Sequence, residues 1–272
     1  MRITFIGGGH MATSLIGGLR ARGIPGSDIT VADPVAGQLD RLRREFAVRV
    51  TDDNVAAVRE ADAVVLAVKP QEMATVARGI AAELALRRRL VISIAAGIRL
   101  QDLARWLGAD VSLVRTMPNR PALIGAGITA LYADATVLPS ERQAVETILA
   151  SCGATVWVET EEQMDVVTAL SGSGPAYFFL LVEALEAAGI RLGLAPDTAR
   201  RLAVETARGA GRMAAESSDP PAELRAQVTS RGGTTAAALQ VLDSAGVRAI
   251  FAEAVAAAAR RSAELARQFG GD

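Results

Sequence analysis

Three glycines, a histidine and a methionine stand together in Gly7-Gly8-Gly9-His10-Met11-Ala12, directly behind the apolar Ile3, Phe5 and Ile6. A short buried strand that runs without a spacer into a Gly-x-Gly-x-x-Ala turn, and then into a helical stretch from Met11 to Arg22, is an arrangement that can seat a dinucleotide pyrophosphate. Gly7 permits the tight turn, Gly9 lets backbone come close to a phosphate, and small Ala12 packs helix on sheet. The free N–H groups and the dipole of the helix then face the anion. An empty glycine-rich turn would use the same residues, so the rest of the chain has to decide.

Asp33, ahead of Pro34, falls at the end of the second apolar run. An acid there can accept hydrogen bonds from an adenosine ribose and repel a 2′-phosphate; it can equally be a turn residue before proline. Two further runs combine small residues with hydroxyls ahead of long helical stretches: Ser171-Gly172-Ser173-Gly174-Pro175 and Ser230-Arg231-Gly232-Gly233-Thr234-Thr235. Each alone reads as a helix cap, and the two together suggest a receptacle for a carboxylate. One histidine, His10, and one cysteine, Cys152, cannot assemble a metal site, so none is expected. Cys152 reads as a small buried residue.

The elements that must carry these residues follow a clear rhythm. Apolar runs at 28–32, 48–50, 63–68, 90–94 and 112–115 alternate with helical stretches at 35–46, 53–60, 72–82 and 100–107. That alternation predicts an α/β domain with a doubly wound parallel sheet. The small residues Ala95, Ala96 and Gly97 follow one strand and would suit a cleft for a flat ring. Met117 to Pro121 and Gly125 to Gly127, with two prolines and two glycines, predict a shaped loop at the sheet edge. A strand at 128–132, a helix at 140–151 and a strand at 154–158 complete this part. Beyond about residue 160 only helical periodicity is found, at 176–192, 196–215, 234–244 and 246–269. Residues 1–160 are therefore expected to form a dinucleotide-binding domain of Rossmann type and residues 161–272 an all-helical domain. The apolar alanine-rich final helix suggests burial between subunits.

Composition narrows the partner. Lys plus Arg number 29 against 30 Asp plus Glu, so a general nucleic-acid footprint is not expected and a small molecule is. There is no signal pattern and no charge-free apolar run of about 18 residues, which leads to the expectation of a cytoplasmic protein without membrane contact.

Taken together, FIGGGHMA at the start, AVKPQ at 67–71, SIAAGI at 93–98, MPNRPALIGAG at 117–127, SGSGPAY at 171–177 and SRGGTT at 230–235 resemble the pyrroline-5-carboxylate reductases, end to end and in order. The resemblance implies reduction of the cyclic imine Δ1-pyrroline-5-carboxylate to L-proline, the last step of proline biosynthesis, with hydride from NADPH or NADH. It implies a homodimer built by the helical domain, often assembled further into a ring. By position it implies that Gly7, Gly9, His10 and Met11 face the pyrophosphate, that Asp33, Pro34 and Asn54 lie toward the adenosine ribose, that Ala67, Val68, Lys69 and Pro70 run along the cofactor, and that Ala95, Ala96 and Gly97 lie near the nicotinamide. Ser171, Ser173, Gly232, Gly233, Thr234 and Asn119 would bind substrate, across the subunit interface for the two hydroxyl-rich runs. Thr235 would stand at the imine nitrogen.

Two positions depart from the common family pattern: Arg120, where a threonine is commoner, and Arg231, where proline is frequent. They would bind the carboxylate more tightly, admit a larger anion, or point to solvent. The rival readings are a reductase of another cyclic imine acid, a β-hydroxyacid dehydrogenase, and a catalytically silent dinucleotide-binding regulator. The absence of any lysine after Lys69 counts against the dehydrogenase, which normally uses one on its helical domain.

Overall fold

The computed structural model describes residues 1–108 and 111–271. Contacts divide them into two compact units, Met1–Gly172 with the chain from Ala258 onward, and Ser173–Ala257.

In the first unit the chain runs β1 (Ile3–Ile6), α1 (His10–Ala21), β2 (Ile29–Ala32), α2 (Ala36–Phe46), β3 (Arg49–Thr51), α3 (Asn54–Arg59), β4 (Ala63–Leu66), α4 (Pro70–Leu84), β5 (Leu90–Ser93), α5 (Leu100–Leu107), β6 (Ser112–Met117), β7 (Gly127–Ala133), α6 (Pro139–Leu149), β8 (Gly153–Trp157) and α7 (Gln163–Val167). A π turn, Thr168–Gly172, ends it. The strands form one sheet in the order β3-β2-β1-β4-β5-β6-β7-β8. β1 lies between β2 and β4, with Phe5 beside Val31 and Val65. Strand order reverses between β1 and β4, and ligands of such sheets bind outside the carboxyl ends of the strands at that point.

The strands are short and apolar on both faces, because helices cover both. Ile3 and Phe5 join one core with Leu15, Ile16 and Leu19 of α1, and Ile6 joins the other with Met73 and Ile80 of α4. Buried Thr4 is satisfied by donating to the Ala57 carbonyl at 2.9 Å.

The parallel expectation holds from β3 to β6 and fails after it. β7 runs antiparallel to β6 and parallel to β8. A parallel return needs a crossover of roughly a dozen residues or more, and the link from Met117 to Gly127, turned by a short 3-10 segment at Arg120–Ile124, is too short for one.

The first unit also extends beyond residue 160. Met164 and Ala169 are fully buried, and Ser262 on the last helix donates to the Asp165 carboxylate at 2.7 Å in a buried contact. The strand pattern stops at 160, but the packing continues to 172 and returns at 258.

The second unit contains α8 (Gly174–Arg191), α9 (Pro196–Glu216), α10 (Pro221–Gln227), α11 (Thr234–Ser244) and the first part of α12 (Val247–Gly270). α8 packs on α9 where Gly189 meets Ala199, whose Cβ would stand 3.2 Å from an added Cβ. Little else in this unit is covered: Phe178, Phe179 and Leu180 are 66%, 67% and 65% exposed. By length and composition alone the run Gln163–Arg191, in which an 18-residue window has mean hydropathy 1.3, could cross a membrane, and 11% of that window is buried.

Candidate functional site

The glycine turn is built from both of its neighbours. Gly7 adopts φ +99°, and a Cβ there would stand 2.6 Å from the Ala67 carbonyl oxygen, so only glycine fits. Its N–H donates to the Ala32 carbonyl at 2.8 Å, and the Ala67 N–H donates to the Ile6 carbonyl at 2.8 Å. The ends of β1, β2 and β4 are thereby laced together under the turn. Gly9 is the N-cap of α1 in extended conformation, with no side chain capping the helix. Nothing lies within 4 Å of where its Cβ would be.

An uncapped helix start with open space before it, behind a backbone that approaches within a glycine's reach, suits the pyrophosphate of a dinucleotide. His10 is exposed as the first residue of α1, Met11 is half-buried, and Ala12 is fully buried against the core. Lys69, exposed, is the N-cap of α4 with Pro70 at its first turn, and Ala67 and Val68 are half-buried beside it.

Asp33 shows a specific attachment. One carboxylate oxygen accepts the Gly8 N–H at 2.8 Å and the other accepts the Val35 N–H at 2.9 Å. Gln38 of α2 donates to the Gly8 carbonyl. Of the two sequence readings the turn role is directly visible: the carboxylate braces the glycine turn against the start of α2. Asn54, half-buried, opens α3 behind Asp53, whose carboxylate accepts the Val55 and Ala56 N–H groups at 2.8 and 3.0 Å.

At the end of β5, Ala95 and Gly97 are buried and Ala96 is half-open. Gly97 sits at φ +73°, and its missing Cβ would meet Phe269 and Ala266 of α12 at 3.4 and 3.5 Å. Two carboxylates that composition hides stabilise this region. Glu161 accepts the Leu100 N–H at 2.8 Å and pairs with buried Arg115 at 3.1 Å, joining α5 to β6. Burial, and then the charge of Glu161, pushes the Tyr132 hydroxyl pKa up. Glu161 lies in an acidic run, Glu159 to Glu162, that reads as solvated surface, and Asp165 just beyond it likewise.

Asn119 and Ser171 meet in the first unit: the Asn119 side chain donates to the Ser171 carbonyl at 3.1 Å. In the second unit Ser173 precedes α8 without capping it. Gly232, at φ +73°, and Gly233, the extended N-cap of α11, leave the start of that helix without a side-chain cap; exposed Thr234 and half-buried Thr235 are its first two residues. This is a second helix start able to receive an anion. Arg120 and Arg231 are exposed.

Cys152 is buried and donates to the Ser14 carbonyl at 3.0 Å; burial pushes its pKa up, the opposite of an activated nucleophile. Among the described residues no group of three or more His, Cys, Asp or Glu could hold a metal ion.

Residues 161–265 match the family model described as pyrroline-5-carboxylate reductase dimerisation, and residues 2–97 the model described as NADP oxidoreductase, coenzyme F420-dependent. The chain is 49% identical over 269 residues to a pyrroline-5-carboxylate reductase of Pseudomonas aeruginosa, covering 99% of this chain and 98% of that protein. It superposes on the solved structure of such a reductase from Coxiella burnetii with TM-score 0.94 at 42% identity, covering 97% and 98% of the two chains. On the Plasmodium falciparum pyrroline carboxylate reductase, solved with NADP bound, the TM-score is 0.85 at 29% identity, covering 98% of each. With relatives of that identity along nearly its whole length, the chain belongs to the pyrroline-5-carboxylate reductase family.

Proposed function

We propose that this protein reduces Δ1-pyrroline-5-carboxylate to L-proline with NADPH, and NADH as a second donor, in the last step of proline biosynthesis. The observation that carries the reading is the uncapped start of α1 behind Gly7 and Gly9, in a chain 49% identical end to end to a reductase of that name. When bound, NADPH supplies the hydride that adds to the imine carbon, while a proton completes the amine nitrogen.

The chain's own residues hold and orient. Backbone N–H groups at Gly9, His10 and Met11 receive the pyrophosphate, Pro34 and Asn54 lie toward the adenosine ribose, and Ala67 to Pro70 and Ala95 to Gly97 shape the wall along the cofactor. Gly232 to Thr234 at the start of α11 receive the substrate carboxylate, with Ser171 and Ser173 as further substrate residues. The Thr235 hydroxyl stands at the imine nitrogen and steadies the proton there. An imine that arrives protonated needs no general acid from the protein.

The exposed apolar row of α8 is covered by a second copy, giving a homodimer that can assemble into a ring, and the protein works in the cytoplasm without nucleic acid or membrane. The family model matched to residues 161–265 is one of dimerisation, which supports that reading.

The test is oxidation of NADPH and of NADH by the purified protein with and without Δ1-pyrroline-5-carboxylate. Substrate-dependent oxidation at roughly 10⁴ M⁻¹s⁻¹ or above is expected; no oxidation by folded, nucleotide-binding protein would overturn the reading. Thr235→Val should lower kcat about tenfold or more while leaving NADPH affinity unchanged.

A further inference from the structure

Asn119 follows β6 and Pro118, and its side-chain amide is used at both ends by backbone. Its Oδ1 accepts the Ile128 N–H at 3.0 Å, which closes the loop between β6 and β7. Its Nδ2 donates to the Ser171 carbonyl at 3.1 Å, across 52 residues of sequence. Ser171 lies in the π turn Thr168–Gly172, and its own hydroxyl is turned back to the Val167 carbonyl at 3.0 Å. Gly172 rests on the same segment, since a Cβ there would stand 2.7 Å from Met117 Cε. One hydrogen bond and one close approach thus seat Ser171–Gly172 on Met117–Asn119. Single π turns of this kind recur at functional sites.

We propose that Asn119 is a positioning residue: through the Ser171 carbonyl it sets the backbone of the Ser171–Gly172 segment, and so controls substrate affinity without being a ligand of the substrate. Asn119 is then a support of the substrate site and not one of the substrate-binding residues that the resemblance implies. The inference rests on the reading of the chain as a pyrroline-5-carboxylate reductase. Both polar atoms of the amide already have protein partners, and what they join is the end of a sheet strand to the turn that leads into the Ser-Gly-Ser-Gly run.

Asn119→Asp tests it in the full-length protein. The replacement is nearly isosteric, keeps an acceptor for the Ile128 N–H, and sets a carboxylate oxygen against the Ser171 carbonyl where a donor had been. At pH 8 the KM for Δ1-pyrroline-5-carboxylate should rise about tenfold, the scale of one lost hydrogen bond with its carbonyl left unpaired, while the KM for NADPH stays within about twofold.

Ser171→Ala frees the same segment from the Val167 carbonyl without touching Asn119. It should raise the same KM, and the double variant with Asn119→Asp should be no worse than the poorer single one by more than about twofold. A KM equal to wild type in both variants overturns the proposal. So does a defect that multiplies in the double variant, or one that moves both KM values together with Tm. If Asn119→Asp does not fold, Asn119→Ser with an unmoved substrate KM overturns it alone. A wild-type protein that fails to turn over the substrate would instead overturn the functional reading, and is seen before any variant is made.

Discussion

The two units solve the problem of burial in different ways. The first closes two apolar cores, one on each face of its sheet, from residues within itself. The second has almost no core of its own: Ala199 and Ala203 are buried between helices, while Phe178, Phe179, Leu180 and Leu181 face outward in succession. Four consecutive large apolar side chains point to successive sides of a helix, about 100° apart, so their exposure leaves most of α8 bare, a surface that is stable only when covered. The difference places self-sufficient stability in the first unit and a need for cover in the helical one.

The strongest way to break that comparison is to charge the exposed row. Phe179→Asp with Leu180→Asp should abolish the dimer in sedimentation and lower kcat/KM by about 100-fold or more, the scale of losing central interface anchors. NADPH binding by the first unit should survive, because none of its core residues is touched. Loss of nucleotide binding along with the dimer would show that the first unit is not self-sufficient.

Gly7→Ala acts in the opposite region. At φ +99°, with the Ala67 carbonyl oxygen 2.6 Å from the new Cβ, the strain and the clash together should cost about 1–3 kcal/mol. The result expected is a Tm drop of several degrees and a raised Kd for NADPH, read by titration, with the dimer intact.

Much of the first unit was legible because its elements are set by local rules. The alternation of apolar runs with helical stretches fixed the strands from β1 to β6, and the Gly-x-Gly-x-x-Ala spacing placed the turn. What was not legible depends on long-range partners. The reversal of β7 follows from the shortness of the 118–126 link measured against a crossover, which strand periodicity does not report. Gln163–Val167 looked like the start of the helical part, yet Met164 is buried in the first unit and Asp165 is held by Ser262, 97 residues away. The helices of the second unit were readable from their period, but α10 was not, since a seven-residue helix behind Pro220-Pro221 looks like a break.

Asp33 is the case where sequence left two readings and hydrogen bonding sharpens them. If its carboxylate chiefly repelled a 2′-phosphate, Asp33→Ser would favour NADPH over NADH. Its oxygens accept the Gly8 and Val35 N–H groups, so the same substitution should leave donors of the glycine turn unpaired and raise the KM for both cofactors, by about tenfold. A gain with NADPH and a loss with NADH would restore the electrostatic reading.

Cys152 gives the smallest effect and the cleanest report on the first unit alone. Its thiol donates to the Ser14 carbonyl at 3.0 Å, and burial raises its pKa above that of a free thiol, against the smaller opposing pull of Ser151 and Arg22. A raised folded-state pKa means that the stability held by the neutral thiol is fully present below the ordinary thiol range and is lost only as pH rises through the folded value. Between pH 6 and 8 stability should therefore be flat with respect to this group, and iodoacetamide should leave Cys152 unmodified over hours at pH 8 while reacting quickly in denaturant. The same protection should persist in the Phe179→Asp, Leu180→Asp variant, whose second unit has lost its cover. Rapid labelling there would mean that opening the helical unit also opens the sheet, and the two units would then fold as one.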